Sequence, residues 1–255
     1  MTNVREKLAQ SLTGTSVEII PYLPYLLQDL WELGAIPNDI IHLIEQNIEV
    51  TPNTKILDLA CGKGAVSINL ARAFGCKVKG IDLIPEFIDY AVTKALAYGL
   101  QDRCEFIVGD INESVLNENG YDIVILASVG DVLGNVLETL LKLKKTVRSR
   151  GYILIDDAYS KDDSNKVYHT RELWLKAFSD AGVRLVAEKK AEARVLKDIN
   201  KYNQDRITQR AHELMKSYPD LVDLFAGYIE SQQAECNELE GGNIISVTWL
   251  LQKDY

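Results

Sequence analysis

From Lys55 onward the chain alternates short apolar runs with amphipathic stretches, and this alternation limits the possible folds more than any other feature. KILDLA (55–60), KVKGIDL (77–83), CEFIVGD (104–110), YDIVILAS (121–128) and GYILIDDA (151–158) read as strands. GAVSINLARAFG, IPEFIDYAVTKALAYG and NVLETLLKLKKTVRS lie between them with helical spacing of apolar residues. Short apolar strands separated by helices imply a parallel sheet covered on both faces. With right-handed crossovers, that is a doubly wound α/β fold.

Both ends of the chain depart from this rhythm. VEIIPYLPYLLQDLWELG (17–34) is apolar on a helical period, with Pro21 and Pro24 limiting where a helix can start. A second helix is expected from Pro37 through DIIHLIEQN. TRELWLKAFSDAG is a further helix and VRLVAEKKA a sixth strand; a helical insertion, broken near Pro219, then precedes NIISVTWLLQK, the seventh. The expected architecture is a mostly parallel seven-stranded sheet with an antiparallel last strand. Residues 1–50 form an N-terminal helical cap, and 51–255 a Rossmann-like domain that includes the insertion 192–240. Val195, Ile199 and Tyr202, and then Leu221, Phe225 and Tyr228, give the insertion apolar faces. The rim of the ligand cleft or a second subunit, as in a homodimer, would bury them.

Composition excludes several function classes. The formal net charge is -9, whereas nucleic-acid binding needs clustered Lys and Arg, so no nucleic-acid partner is expected. KLKKTVRSR (142–150) reads as a solvated helix end. No apolar window approaches the ~18 residues of a membrane span, and the N-terminus lacks a signal sequence. Cys61, Cys76, Cys104 and Cys236 form no CxxC pair, which predicts free thiols, a cytoplasmic protein and no metal site.

In an open α/β sheet, ligands sit beyond the carboxyl ends of the strands. Asp58 and the small-residue loop Ala60, Cys61, Gly62, Lys63 and Gly64 follow the first strand there, and Asp82 and Leu83 the second. Asp110 and Ile111 follow the third, Ala127 and Ser128 the fourth, and Asp156 and Asp157 the fifth. Small residues allow a ligand close to the backbone. Asp82, 18 residues beyond Gly64, stands where a carboxylate accepts two ribose hydroxyls. Asp110 is one strand further, towards an adenine amino group. ACGKGA also resembles a weakened dinucleotide fingerprint, but a pyrophosphate is poorly served by Asp58.

ILDLACGKGAVSINLA, VKGIDLIPEFIDYA, CEFIVGDI and YDIVILAS, in that order, resemble the class I S-adenosylmethionine-dependent methyltransferases. The resemblance covers roughly residues 55–190 and the final strand, and is closest to the small-molecule branch. It implies S-adenosyl-L-methionine as cofactor, with Asp58, Ala60, Cys61, Gly62, Gly64, Asp82, Leu83, Asp110, Ile111 and Ala127 binding it. Ala60 departs from the family's usual glycine, which is tolerated if the backbone there does not need a positive φ.

Methyl transfer from a sulfonium is an in-line displacement that needs orientation more than a catalytic triad, so no catalytic residue is assigned. The acceptor is expected to be a small molecule over the ends of strands four and five, near Ser128, Asp157 and His169. Tyr22, Tyr25 and Trp31 are expected to wall that site. A non-catalytic cofactor-binding scaffold and a nicotinamide-dependent oxidoreductase are the competing readings.

Overall fold

The computed structural model describes residues 4–163, 165 and 167–254. Residues 1–3 of the expected cap and 164, 166 and 255 of the expected domain lie outside them. Strands β1 (Lys55–Leu59), β2 (Lys77–Asp82), β3 (Cys104–Val108), β4 (Tyr121–Ala127), β5 (Val147–Ser160), β6 (Val183–Lys190) and β7 (Ile244–Lys253) form one sheet in the order β3-β2-β1-β4-β5-β7-β6. The β1–β2, β2–β3, β1–β4 and β4–β5 pairs are parallel; β7 runs antiparallel to both β5 and β6. This is the expected doubly wound sheet with its antiparallel last strand.

Helices α4 (Ala65–Phe74), α5 (Pro85–Ala97), α7 (Val136–Thr146) and α8 (Arg171–Ala181) occupy the expected crossovers, and a short α6 (Ile111–Asn117) adds to them. One core layer joins Leu57, Val124 and Ile155 to Leu140, Phe178 and Trp249. The other joins Ile56, Ile123 and Leu154 to Ile68 and to Ile40 and Ile44 of α3 (Pro37–Asn47). Neighbouring residues along β1, β4 and β5 thus go to opposite layers, as strands buried on both faces must.

The N-terminal segment differs from the single long helix that its periodicity suggests. Helix α1 (Val4–Ser11) precedes a 3-10 turn at Val17–Tyr22, a single helical turn α2 (Leu23–Leu26), and an irregular stretch to Gly34. Pro21 and Pro24 each remove a backbone donor, which breaks the helix into short turns. The 142–150 stretch holds the end of α7 and the start of β5, with Lys145, Arg148 and Arg150 exposed as a solvated helix end requires, but two of its basic groups also make specific contacts. Lys144 donates to the Ala181 and Gly182 carbonyls, and Arg148, already in β5, pairs with Asp122.

The insertion is a hairpin of α9 (Ala193–Ser217) and α10 (Val222–Glu240), broken around Pro219. Its buried face is not wholly the expected one, because Val195 and Tyr202 are exposed while Ile207, Ala211, Leu214, Phe225 and Tyr228 are buried. These pack with Ala9, Ile19, Leu23 and Leu26 of the N-terminal segment. The two departures from the α/β rhythm therefore cover each other.

Ala60 has φ +56°, so the condition for tolerating its methyl group without strain is not met. The left-handed conformation costs an alanine about 1–2 kcal/mol, which the unfolded-chain entropy of a glycine offsets in part. We expect Ala60→Gly to leave the melting temperature unchanged or raise it by a few degrees. The same change at Ala71 inside α4 should lower stability by about 1 kcal/mol. A clear loss of stability in Ala60→Gly, measured by thermal denaturation, contradicts the loop geometry.

Candidate functional site

Three turns beyond the strand ends build the first half of the site. The loop after β1 runs through positive φ at Ala60, Gly62 and Gly64, and Gly64 leads directly into α4. A side chain at Gly64 would meet Ala91 and the Phe106 ring at 2.9 Å, so this glycine serves helix packing. The Gly62 amide donates to Asp82 Oδ2 at 2.8 Å, and the Ile84 amide donates to Asp82 Oδ1 at 3.0 Å. Each oxygen of Asp82 keeps a further lone pair. Asp110 caps α6, its Oδ1 taking the Asn112 amide at 2.8 Å, while its Oδ2 has no partner among the described residues.

Asp58 is buried, with Oδ2 accepting the Ser67 hydroxyl at 2.6 Å. Burial pushes its pKa up to about 7, opposed by the Ser67 hydrogen bond and reinforced by the charge of Asp82. Burial also raises Asp82, against the pull of the Ile84, Gly62 and Leu83 amides. No cation pairs with Asp58, Asp82 or Asp110 among the described residues. These acids line one hollow with Ala60, Cys61, Gly62, Leu83, Ile111 and Ala127. Of the cofactor residues named from sequence, Gly64 alone stays outside that lining. Burial, with the charges of Asp58 and Asp82, pushes the Cys61 thiol pKa up, which disfavours the thiolate a nucleophile needs.

A second, larger cavity of about 730 Å³ opens over β4 and β5. Ser128, Asp157 and His169 line it, as the sequence suggests, and so does Asp156. The two spaces share Ser11, Leu12, Leu33, Ser128, Val129 and Val132. Ser128 sits at their junction with φ +55°; its amide donates to the Asp156 carbonyl at 2.8 Å and its hydroxyl to Asp156 Oδ1 at 2.7 Å. Thr248 donates to the other oxygen of Asp156. Among the described residues Asp157 accepts only its neighbour's amide, from Ala158 at 2.7 Å.

Tyr22 and Tyr25 line neither space. Tyr22 packs edge-on against Tyr218 and Phe225, and the Tyr25 hydroxyl donates outward to Glu213. The proline-broken turns rotate both rings away from the cleft. Trp31 borders the cofactor-side hollow rather than the larger cavity. The walls of the larger cavity come instead from α1, α9 and α10, through residues such as Gln10, Ile199, Gln204 and Gln232.

Sequence reasoning missed Lys63. Its side chain is buried, and its ammonium donates to the Leu27 and Leu30 carbonyls at 2.5 and 2.7 Å. Its own carbonyl accepts the Trp31 indole N–H at 3.1 Å. The loop is thereby tied to the cap by both ends of one residue. Burial lowers the ammonium to about 8. Its position inside the glycine loop was the available signal, but a lysine there reads as solvated.

The family model described as a methyltransferase domain matches residues 50–218. The chain is 32% identical over 120 residues to a ubiquinone biosynthesis O-methyltransferase of Rickettsia bellii, covering 46% of this chain and 48% of that protein. It is 22% identical over 123 residues to a sterol 4-C-methyltransferase of Caenorhabditis elegans, covering 48% and 36%. The chain thus spans less than half the length of these curated relatives. Among solved structures, an S-adenosylmethionine-dependent methyltransferase of Geobacter sulfurreducens superposes with a TM-score of 0.75 at 18% identity, over 91% of this chain and 97% of that one. One from Thiobacillus denitrificans gives 0.74 at 17% identity, over 90% and 97%. At these identities the superpositions establish the shared fold.

The burial of Asp58 has a pH consequence in the ligand-free protein. A carboxyl whose folded pKa lies above its unfolded value contributes stability that is complete below the unfolded pKa. That contribution is lost as pH rises through the folded one. Asp58→Asn removes the effect and keeps a hydrogen-bond acceptor for Ser67. We expect the melting temperature of the variant, relative to wild type, to climb as pH rises from about 4 to 8. A pH-independent difference would mean that Asp58 titrates normally.

Proposed function

We propose a function from one premise: the chain belongs to the methyltransferase-domain family whose model covers residues 50–218. The reading is that it transfers a methyl group from S-adenosyl-L-methionine to a small molecule held in the larger cavity. The observation that carries it is the meeting of the two spaces at Ser128, acids of the first three strand ends on one side and Asp156 and Asp157 on the other.

The polar groups of the smaller hollow fit an S-adenosyl group. The two oxygens of Asp82 suit the paired hydroxyls of a ribose, and the open Oδ2 of Asp110 suits an adenine amino group. Asp58, which has the Ser67 hydroxyl but no cation beside it among the described residues, suits positive charge. The same three acids would oppose a pyrophosphate, which disfavours a nicotinamide dinucleotide.

When bound, the cofactor supplies a methyl group on a positively charged sulfur, already activated for displacement. The chain's work is to orient and to exclude water. Asp82 and Asp110 fix one end of the ligand, and Ser128, held by Asp156, shapes the passage between the spaces. Leu12, Leu33 and Val132 make that passage apolar. The hollow itself is narrow, about 100 Å³, and Leu8 of α1 and Leu12 just after it line it. Residues 1–50 act as a cap that settles against the ligand, over a domain of 51–255. The four free cysteines support a reducing, cytoplasmic setting.

Titration calorimetry tests the reading. S-adenosylhomocysteine should bind, and NAD should not bind comparably. Hydrogen bonds to a charged group are worth about 1.5–3 kcal/mol each, so Asp82→Ala should weaken S-adenosylhomocysteine at least about tenfold in a folded protein. Tighter binding of NAD, or an Asp82→Ala variant of unchanged affinity, overturns it. Binding without methyl transfer to any of a broad acceptor panel favours a scaffold role.

A further inference from the structure

The larger cavity is unevenly charged. Asp39, Asp131, Asp156, Asp157 and Glu235 line it, and among the described residues Lys7 is the one lysine or arginine in that lining. The Lys7 ammonium is spent on the backbone carbonyls of Asp131 and Val132, both at 3.0 Å. Asp156 is satisfied by two hydroxyls, Asp39 faces Lys189 at 3.9 Å, and Glu235 accepts the Thr13 hydroxyl at 2.6 Å. Among the described residues Asp157 has its neighbour's amide and no cation. Tyr168 lines the cavity with Glu235 and Asp157; burial raises its hydroxyl pKa, and the charges of Glu235, Glu238 and Asp157 add to that.

Two further residues of the cavity lining carry a buried polar atom without a partner among the described residues. Trp174 lines the cavity, is 5% exposed, and has a buried indole N–H without a hydrogen-bond partner. Gln204 of α9 also lines it, and its buried amide oxygen has none. A buried donor and a buried acceptor are rarely left open in a cavity wall unless something completes them.

We propose that this cavity selects a small basic amine and that the methyl group goes to its nitrogen, with Asp157 receiving the amine's proton and Glu235 and Asp131 holding its positive charge. The proposal rests on the methyltransferase reading and names its substrate class. Gln204 is a suitable acceptor for an amine N–H, and Trp174 donates to an oxygen on the same molecule. A carboxylate acceptor would add a like charge beside Asp157, Asp131 and Glu235; a neutral alcohol would bring no charge to offset that of Asp157. In the step itself, the ammonium gives one proton to the Asp157 carboxylate. The freed lone pair forms a bond to the methyl carbon as the carbon–sulfur bond breaks. That bonding pair returns to sulfur, leaving a neutral thioether and a methylated ammonium. Burial and the charges of Asp156 and Asp131 bring the free Asp157 carboxyl to about 7, suited to receiving a proton near neutral pH.

The test is calorimetry on the full chain saturated with S-adenosylhomocysteine. The probes are primary and secondary aryl-alkyl and alkyl amines, each paired with its isosteric alcohol and carboxylic acid. Amines should bind at least about tenfold better than either partner. Asp157→Asn and Glu235→Gln should each cut amine affinity several-fold, while S-adenosylhomocysteine affinity stays within about twofold of wild type, which also certifies folding. With labelled S-adenosylmethionine, the methyl group should appear on nitrogen. A preference for alcohols or acids overturns the proposal, as do unchanged amine affinity in both variants or no amine bound at millimolar concentration. Failure to bind S-adenosylhomocysteine at all overturns the methyltransferase reading instead.

Discussion

The hydrogen bond from the Gly62 amide to the Asp82 carboxylate ties the ends of two parallel strands together. It exists because the loop after β1 turns through left-handed conformations, which aim its amides at the neighbouring strand end. Asp82 is consequently held from both sides, by the loop and by the start of α5. Asp58, one strand over, and Asp110, one strand the other way, then take fixed positions relative to it. Burying Asp58 and Asp82 without cations is costly unless something else compensates. The proposed ligand, which carries hydroxyls, an amino group and positive charge, would offset that cost.

The rest of the molecule closes this arrangement. Lys63 joins the loop to the cap through two carbonyls, and the cap joins the α9–α10 hairpin through a shared apolar cluster. Bidentate pairing of Arg210 with Asp29 strengthens the same contact. The hairpin and α1 then roof the larger cavity, whose floor is the carboxyl end of β4 and β5. A movement of the cap would thus be felt by both spaces.

Much of this was legible in the sequence, for a physical reason. Strand ends in a parallel sheet are fixed by local apolar runs, so Asp58, Asp82, Asp110 and Asp157 could be placed by counting along the chain. What was not legible depends on contacts between distant segments. Tyr22 and Tyr25 sit on a helical period, but two prolines turn them out towards Phe225 and Glu213. Tyr202 shares a face with Ile199 by spacing, yet the cap meets α9 further along, at Ile207 and Ala211. Lys63 has a polar name and a buried role, which only the facing carbonyls of Leu27 and Leu30 explain. Ala60 carries no local sign of its positive φ beyond its place in the loop.

The central claim is that three carboxylates at successive strand ends orient an S-adenosyl group towards Ser128. A crystal structure with S-adenosylhomocysteine bound tests it most directly. The account predicts the ribose hydroxyls on Asp82, the adenine beside Asp110 and the sulfur facing the passage at Ser128 and Val129. A ligand bound away from Asp82, or one whose adenine occupies the Ser128 passage, would contradict it.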